Sequence, residues 1–127
     1  MKKFTLILVL RFMLFGAERV HESSKTRPVH VWTQEDSKAY AHDVVNAWSA
    51  NQFACLEKLW TKESNWRPEA YNKIKVMNKN AGGIPQLLGM SPSTPPTEQI
   101  ERGFKYIMYR YSTPCHAWRF HQRNGWY

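Results

Sequence analysis

One carboxylate stands apart from the other acids by its neighbours. Phe53, Leu56, Leu59, Trp60 and Glu63 recur at intervals of three and four, so a helix from Gln52 to Ser64 puts all five on one stripe and sets Glu63 among apolar side chains. Arg67 precedes Pro68, which disfavours helical backbone at Arg67, so this helix should end close to Asn65 with Glu63 in its last turn. Apolar surroundings and the negative end of the helix dipole both favour the neutral carboxyl. A group held in that way can deliver a proton near neutral pH, which is what a general acid must do. A plain ion pair with Lys62, Arg67 or Lys73 is the other reading of an acid in this place.

Chemistry that uses two carboxylates needs a second one close by. Glu57 is six residues earlier, roughly 240° around a helix at about 100° per residue, and faces elsewhere. Glu69, beyond Pro68, is the remaining candidate. Trp60 and Trp66 flank Glu63, and flat aromatic faces offer apolar contact to a ligand as readily as to a core. Trp60, one turn before Glu63, reads as core, whereas Trp66 lies past the helix end and is expected to meet a ligand. His116 and His121 are five apart, off the spacing that places two ligands on one helical face, and read as helix-surface residues. No zinc spacing is present and no cofactor or metal is expected. Cys55 and Cys115 suit a single disulfide in an exported domain, or two buried thiols in a cytosolic one.

The run Glu63-Ser64-Asn65-Trp66, preceded by Leu59-Trp60-Thr61-Lys62 and followed by Arg67-Pro68 and Ala70-Tyr71-Asn72, resembles the signature of soluble lytic transglycosylase domains of the lysozyme-like superfamily. That resemblance implies an acid/base role for Glu63 and a supporting role for Ser64. Gly83-Ile84-Pro85-Gln86 is similar to the family's Gly-x-x-Gln motif and implies sugar contact by Gln86. A third stretch runs from Gln99-Ile100 through Gly103, Tyr106-Ile107, Arg110-Tyr111, Thr113-Pro114 and Ala117-Trp118 to Gly125-Trp126-Tyr127. It resembles the branch similar to the C-terminal part of aggregation-promoting factors. Where many members have Ala-Tyr-Asn, this chain has Ala117-Trp118-Arg119, which leaves Tyr106 and Tyr127 as candidates for the aromatic near the acid, with core packing as the alternative for each. The implied reaction cleaves the bond between N-acetylmuramic acid and N-acetylglucosamine in peptidoglycan glycan strands, with a 1,6-anhydro product. A muramidase using Glu69 as second carboxylate, or a non-catalytic wall-binding or phage structural module, are the competing expectations.

The elements that must position these residues read as follows. Thr33 with Asp36 caps a first helix over Gln34 to Ala50, carrying Ala41, Val44, Val45 and Trp48 at helical spacing. From Glu69 to Pro96 the chain is rich in Asn, Gly and Pro, which predicts a functional loop or small irregular β-structure with one helical turn around Gln86 to Met90. Thr97 opens a helix with the stripe Ile100, Phe104, Ile107 and Tyr111, and Thr113-Pro114 begins a last helix through Ala117, Trp118 and His121, stopped by Gly125. The fold class expected is mainly α, a small lysozyme-like domain with an irregular loop or short β region between the catalytic helix and the C-terminal helices.

With 127 residues, one small domain is all the chain can hold. Its 43% hydrophobic and 14% aromatic content argues for an ordered core. A net charge of +8 points to an anionic partner or setting, but the basic residues are spread along the chain, which argues against nucleic acid. Lys2 and Lys3, the apolar stretch Phe4 to Phe15, then Gly16 and Ala17 resemble a secretory signal, although Arg11 interrupts it, and the stretch falls short of the roughly 20 apolar residues of a membrane span. The expected organisation is a signal peptide or anchor over 1–17, a linker over 18–33 and the domain over 34–127. The protein is expected to be an exported or virion-associated monomer, with membrane contact through the N-terminal segment only.

Overall fold

Thr33 starts the first helix. Its hydroxyl accepts a hydrogen bond from the Asp36 amide (3.2 Å) while the Asp36 carboxylate accepts one from the Thr33 amide (2.7 Å), so two amides without helical partners are satisfied. Helix α1 runs Gln34–Val44 and ends at Val45, whose amide donates to Ala41 O and whose side chain is buried in the core. The expectation of a helix reaching Ala50 is therefore corrected: the chain turns once Ala41 and Val45 are buried. The structure, a computed structural model, describes residues 28–46 and 49–127. The signal or anchor segment, most of the linker and Trp48 lie outside the described residues.

Helix α2, Ala50–Ser64, supplies Leu56, Leu59 and Trp60 to the core. It ends on two left-handed residues, Asn65 (φ 52°) and Trp66 (φ 61°). Asn is among the residues that tolerate this region best, and its amide closes onto Thr61 O at 3.0 Å. The double turn folds the chain back under the helix and carries the Trp66 indole into the interior. There its ring meets Trp60 edge-on with centroids 5.3 Å apart, and its N–H donates to Glu57 O (3.3 Å) and Thr61 Oγ1 (3.2 Å). Trp66 is therefore core, not a ligand-facing aromatic, which corrects the reading that placed it on the open side of the helix end.

The segment before the third helix holds three short antiparallel pairings, one of them the bridge of Tyr71 to Gly82. Strands β1 (Ala81–Gly82) and β2 (Leu87–Leu88) pair with Ala81 opposite Leu88 and Gly82 opposite Leu87. The turn between them uses left-handed backbone at Gly83 (φ 75°) and Gln86 (φ 53°), which is incompatible with the helical turn expected around Gln86 to Met90. A Cβ on Gly82 would stand 2.1 Å from Met90 O, so only glycine permits this approach of backbone to backbone. Further out, Val76 pairs with Lys79 across Met77 and Asn78, both at positive φ (50° and 61°), as two-residue hairpin turns of the primed kind require.

Helix α3, Pro96–Tyr111, buries Gln99, Ile100, Gly103 and Ile107. Gln99 acts as a staple: its Oε1 accepts from the Ile84 amide (2.8 Å), and its Nε2 donates to Pro68 O (3.0 Å) and Thr94 O (2.9 Å). Helix α4, Pro114–Asn124, is capped by Thr113, whose hydroxyl accepts from the His116 amide, and ends at left-handed Gly125 (φ 78°), whose amide donates to His121 O. Helix α2 is packed most extensively on α4, and the Cys55–Cys115 disulfide joins the two. Among the described residues the fold is mainly α, four helices with one two-stranded sheet, as the sequence predicts for its class.

Candidate active site

The end of α2 is fastened from below before it presents anything. The buried Ser64 hydroxyl donates to Ile84 O at 2.6 Å and lies 3.3 Å from Trp60 O, so the last turn of α2 and the Gly83–Gln86 turn move as one piece. Ser64 is thus a support and has no surface to offer a ligand. Gly103 lets α3 close on the same point, because a Cβ there would fall 2.6 Å from Pro85 Cβ and 2.8 Å from Trp60 Cζ2.

On this footing Glu63 stands with its side chain 17% exposed, and its Oε1 lies 3.1 Å from Nε2 of His121, itself 15% exposed. Burial pushes the Glu63 carboxyl up to about 7. Burial lowers His121, and the charge of Lys62 lowers it further. Each shift favours the neutral form of its own group, and burial is the first cause of both. Trp118 stacks on the His121 ring, with planes 15° apart and centroids separated by 5.7 Å, and fixes its orientation.

His121 is the residue that the sequence reading passed over by assigning it to the helix surface. Its signal was present: Pro114, Ala117, Trp118 and His121 keep the spacing of three and four that marks an inward stripe. His116, by contrast, is exposed, with Nδ1 3.1 Å from Tyr111 O.

Tyr127 closes the arrangement. Its hydroxyl donates to Pro85 O (2.6 Å) and accepts from the Trp60 indole N–H (2.9 Å), which ties the last residue of the sequence to α2 and to the turn. Burial raises its hydroxyl well above the ordinary value, and the nearby charge of Glu63 adds to that. Tyr106 packs edge-on against Tyr127 (centroids 5.6 Å), and its hydroxyl accepts from Arg110 Nη1 at 3.0 Å. Of the two tyrosines, Tyr127 is the one whose hydroxyl is locked into the frame around Glu63.

Gln86 is tied into the turn through one end of its amide. Its Nε2 donates to Gly83 O (3.0 Å) and Ala70 O (3.2 Å), so the amide is engaged in the turn that Ser64 and Gln99 also brace. Glu57 lies on the exposed side of α2, and Glu69 is exposed in the turn after Pro68. Among the described residues no group of three or more His, Cys, Asp or Glu is placed to hold a metal ion.

What this arrangement can do is acid/base chemistry with one carboxyl. It has a proton to give at neutral pH, an imidazole touching it, and a frame that keeps both still. Compared with family models, curated proteins and solved structures, the chain finds no match.

Proposed function

We propose that this protein is an exported lytic transglycosylase of peptidoglycan glycan strands, with Glu63 as its general acid and base. The observation that carries the reading is the partly buried Glu63 carboxyl, set against His121 and raised to about 7 at the end of α2 within the Glu-Ser motif. The protonated carboxyl gives its proton to the oxygen between N-acetylmuramic acid and N-acetylglucosamine as the bond from the anomeric carbon to that oxygen breaks. The carboxylate then accepts the proton of the muramic 6-hydroxyl as its oxygen bonds to the anomeric carbon, which closes a 1,6-anhydro ring without water. His121 is a positioning residue for Glu63, and Ser64, Gln86 and Tyr127 hold the frame. A single acid suffices for this route, whereas hydrolysis of the usual kind needs a second carboxylate.

The net charge of +8 fits an anionic wall, and the disulfide fits export. Mass spectrometry of the muropeptides released from purified peptidoglycan tests the reading, and the expected fragments carry anhydro ends. Reducing ends would replace it with muramidase hydrolysis, for which Glu69 is the second acid to examine. Binding of the wall without release of fragments would leave an adhesive or structural module.

A further inference from the structure

The hairpin beyond α2 supplies none of the hydrogen bonds described around Glu63, yet it is well braced. Over 72–80 it exposes Ile74 (74%), Val76 (52%) and Met77 (81%), flanked by Lys73, Lys75 and Lys79. No acidic residue occurs between Glu69 and Glu98. Solvent-facing aliphatic side chains gathered at one tip mark a contact surface more than isolated ones do.

The tip is also held in shape. Asn80 Nδ2 donates to Asn72 O (3.0 Å) and Lys73 O (3.1 Å), and Asn72 Oδ1 accepts from the Ile74 amide (3.0 Å). With Val76 and Lys79 exchanging both backbone hydrogen bonds, the aliphatic side chains need little ordering on contact.

We infer that this hairpin docks the protein on an anionic lipid bilayer, with Ile74, Val76 and Met77 entering the interface and Lys73, Lys75 and Lys79 meeting the headgroups. Charge complementarity selects a negative partner, and the aliphatic tip selects one with an apolar layer beneath its charge. A soluble polyanion such as a wall polymer or nucleic acid would use the lysines and leave Ile74 and Met77 in water. No helix among the described residues is long and apolar enough to cross a membrane, so this contact would be peripheral. It adds a second point of membrane contact to the one expected of the N-terminal segment, and it holds whether or not Glu63 acts on glycan.

The test is co-sedimentation of the full chain with phosphatidylcholine vesicles, with and without one quarter phosphatidylglycerol. The wild type is compared with K73Q/K75Q/K79Q and with I74S/M77S, Asn72, Asn78 and Asn80 being kept. Near-wild-type melting temperatures and an intact disulfide show that the variants fold. Wild type is expected to bind the anionic vesicles, with loss of about a hundredfold in the lysine variant at low salt and about tenfold in the aliphatic one. Equal binding by all three proteins would overturn the inference, because another segment would then be the anchor. Loss in the lysine variant alone, matched by competition from soluble polyphosphate, would make the site a polyanion contact and overturn the lipid assignment. Absence of wild-type binding would end it.

Discussion

A carboxyl that titrates near pH 7 in the folded chain and near 4.5 in the unfolded one ties stability to pH. The folded protein binds the proton more tightly, so the contribution of Glu63 is fully present below pH 4.5 and is lost as pH rises through about 7. His121 acts in the opposite sense: its lowered value means that stability is lost as pH falls below 6.5. Glu63→Gln should therefore stabilise the protein at pH 8, by of order 2 kcal/mol once the contact with His121 is allowed for, and by little at pH 4.5. Unfolding curves at the two pH values check this, and equal gains would argue against an elevated Glu63. The same variant should lose at least about a hundredfold in turnover of peptidoglycan, with Glu69→Gln as a control that stays active. His121→Phe keeps the ring stacked under Trp118 and removes the nitrogen that steadies the carboxylate. The alkaline limb of the activity profile should move to higher pH. A move to lower pH would mean that His121 takes the acid's proton.

At the scale of elements, the turn over Gly83–Gln86 is where four parts of the chain converge: α2 through Ser64, α3 through Gln99, Ala70 through Gln86, and Tyr127 through Pro85. Gln86→Ala leaves Ala70 O and Gly83 O without that amide, and the cost should be about 1 to 3 kcal/mol. Melting temperature and turnover should then fall together; a fall in turnover alone would return Gln86 to the role of sugar contact. Much of this level was legible beforehand. The stripe on α2, the Thr33 and Thr113 caps, and the stop at Gly125 are local patterns and stand where the sequence puts them. Trp66 was misjudged because its direction depends on left-handed backbone at Asn65 and Trp66, which no hydrophobic period reports. The inward direction of His121 was readable from its stripe, but its pairing with Glu63 was not, because the partner is in another helix and only tertiary packing brings the two within 3.1 Å.

For the molecule as a whole, the crosslink between Cys55 and Cys115 closes a span of 60 residues around most of the core. The chain-entropy account gives roughly 4 kcal/mol for a loop of this size, a large share of what a small domain has. Reduction should lower the denaturant midpoint by a matching amount, with helical content retained below the transition. Unfolding curves with and without reductant measure it, and coincident curves would show that the span is held by packing alone. The pairing was readable from two cysteines and an expectation of export; which helices it joins followed from their positions on α2 and α4.

That bond also bears on timing, if the chain is exported as proposed. Cys55 is two turns from Glu63 on α2, and Cys115 under two turns from His121 on α4, so the crosslink joins the very helices whose facing sets the contact between acid and imidazole. A newly made chain with reduced thiols has the acid and the imidazole but lacks the clamp that keeps them in register. If the protein is the exported glycan-cleaving enzyme proposed above, turnover of peptidoglycan is expected to be lower before oxidation than after it, and comparing the reduced and oxidised proteins measures that.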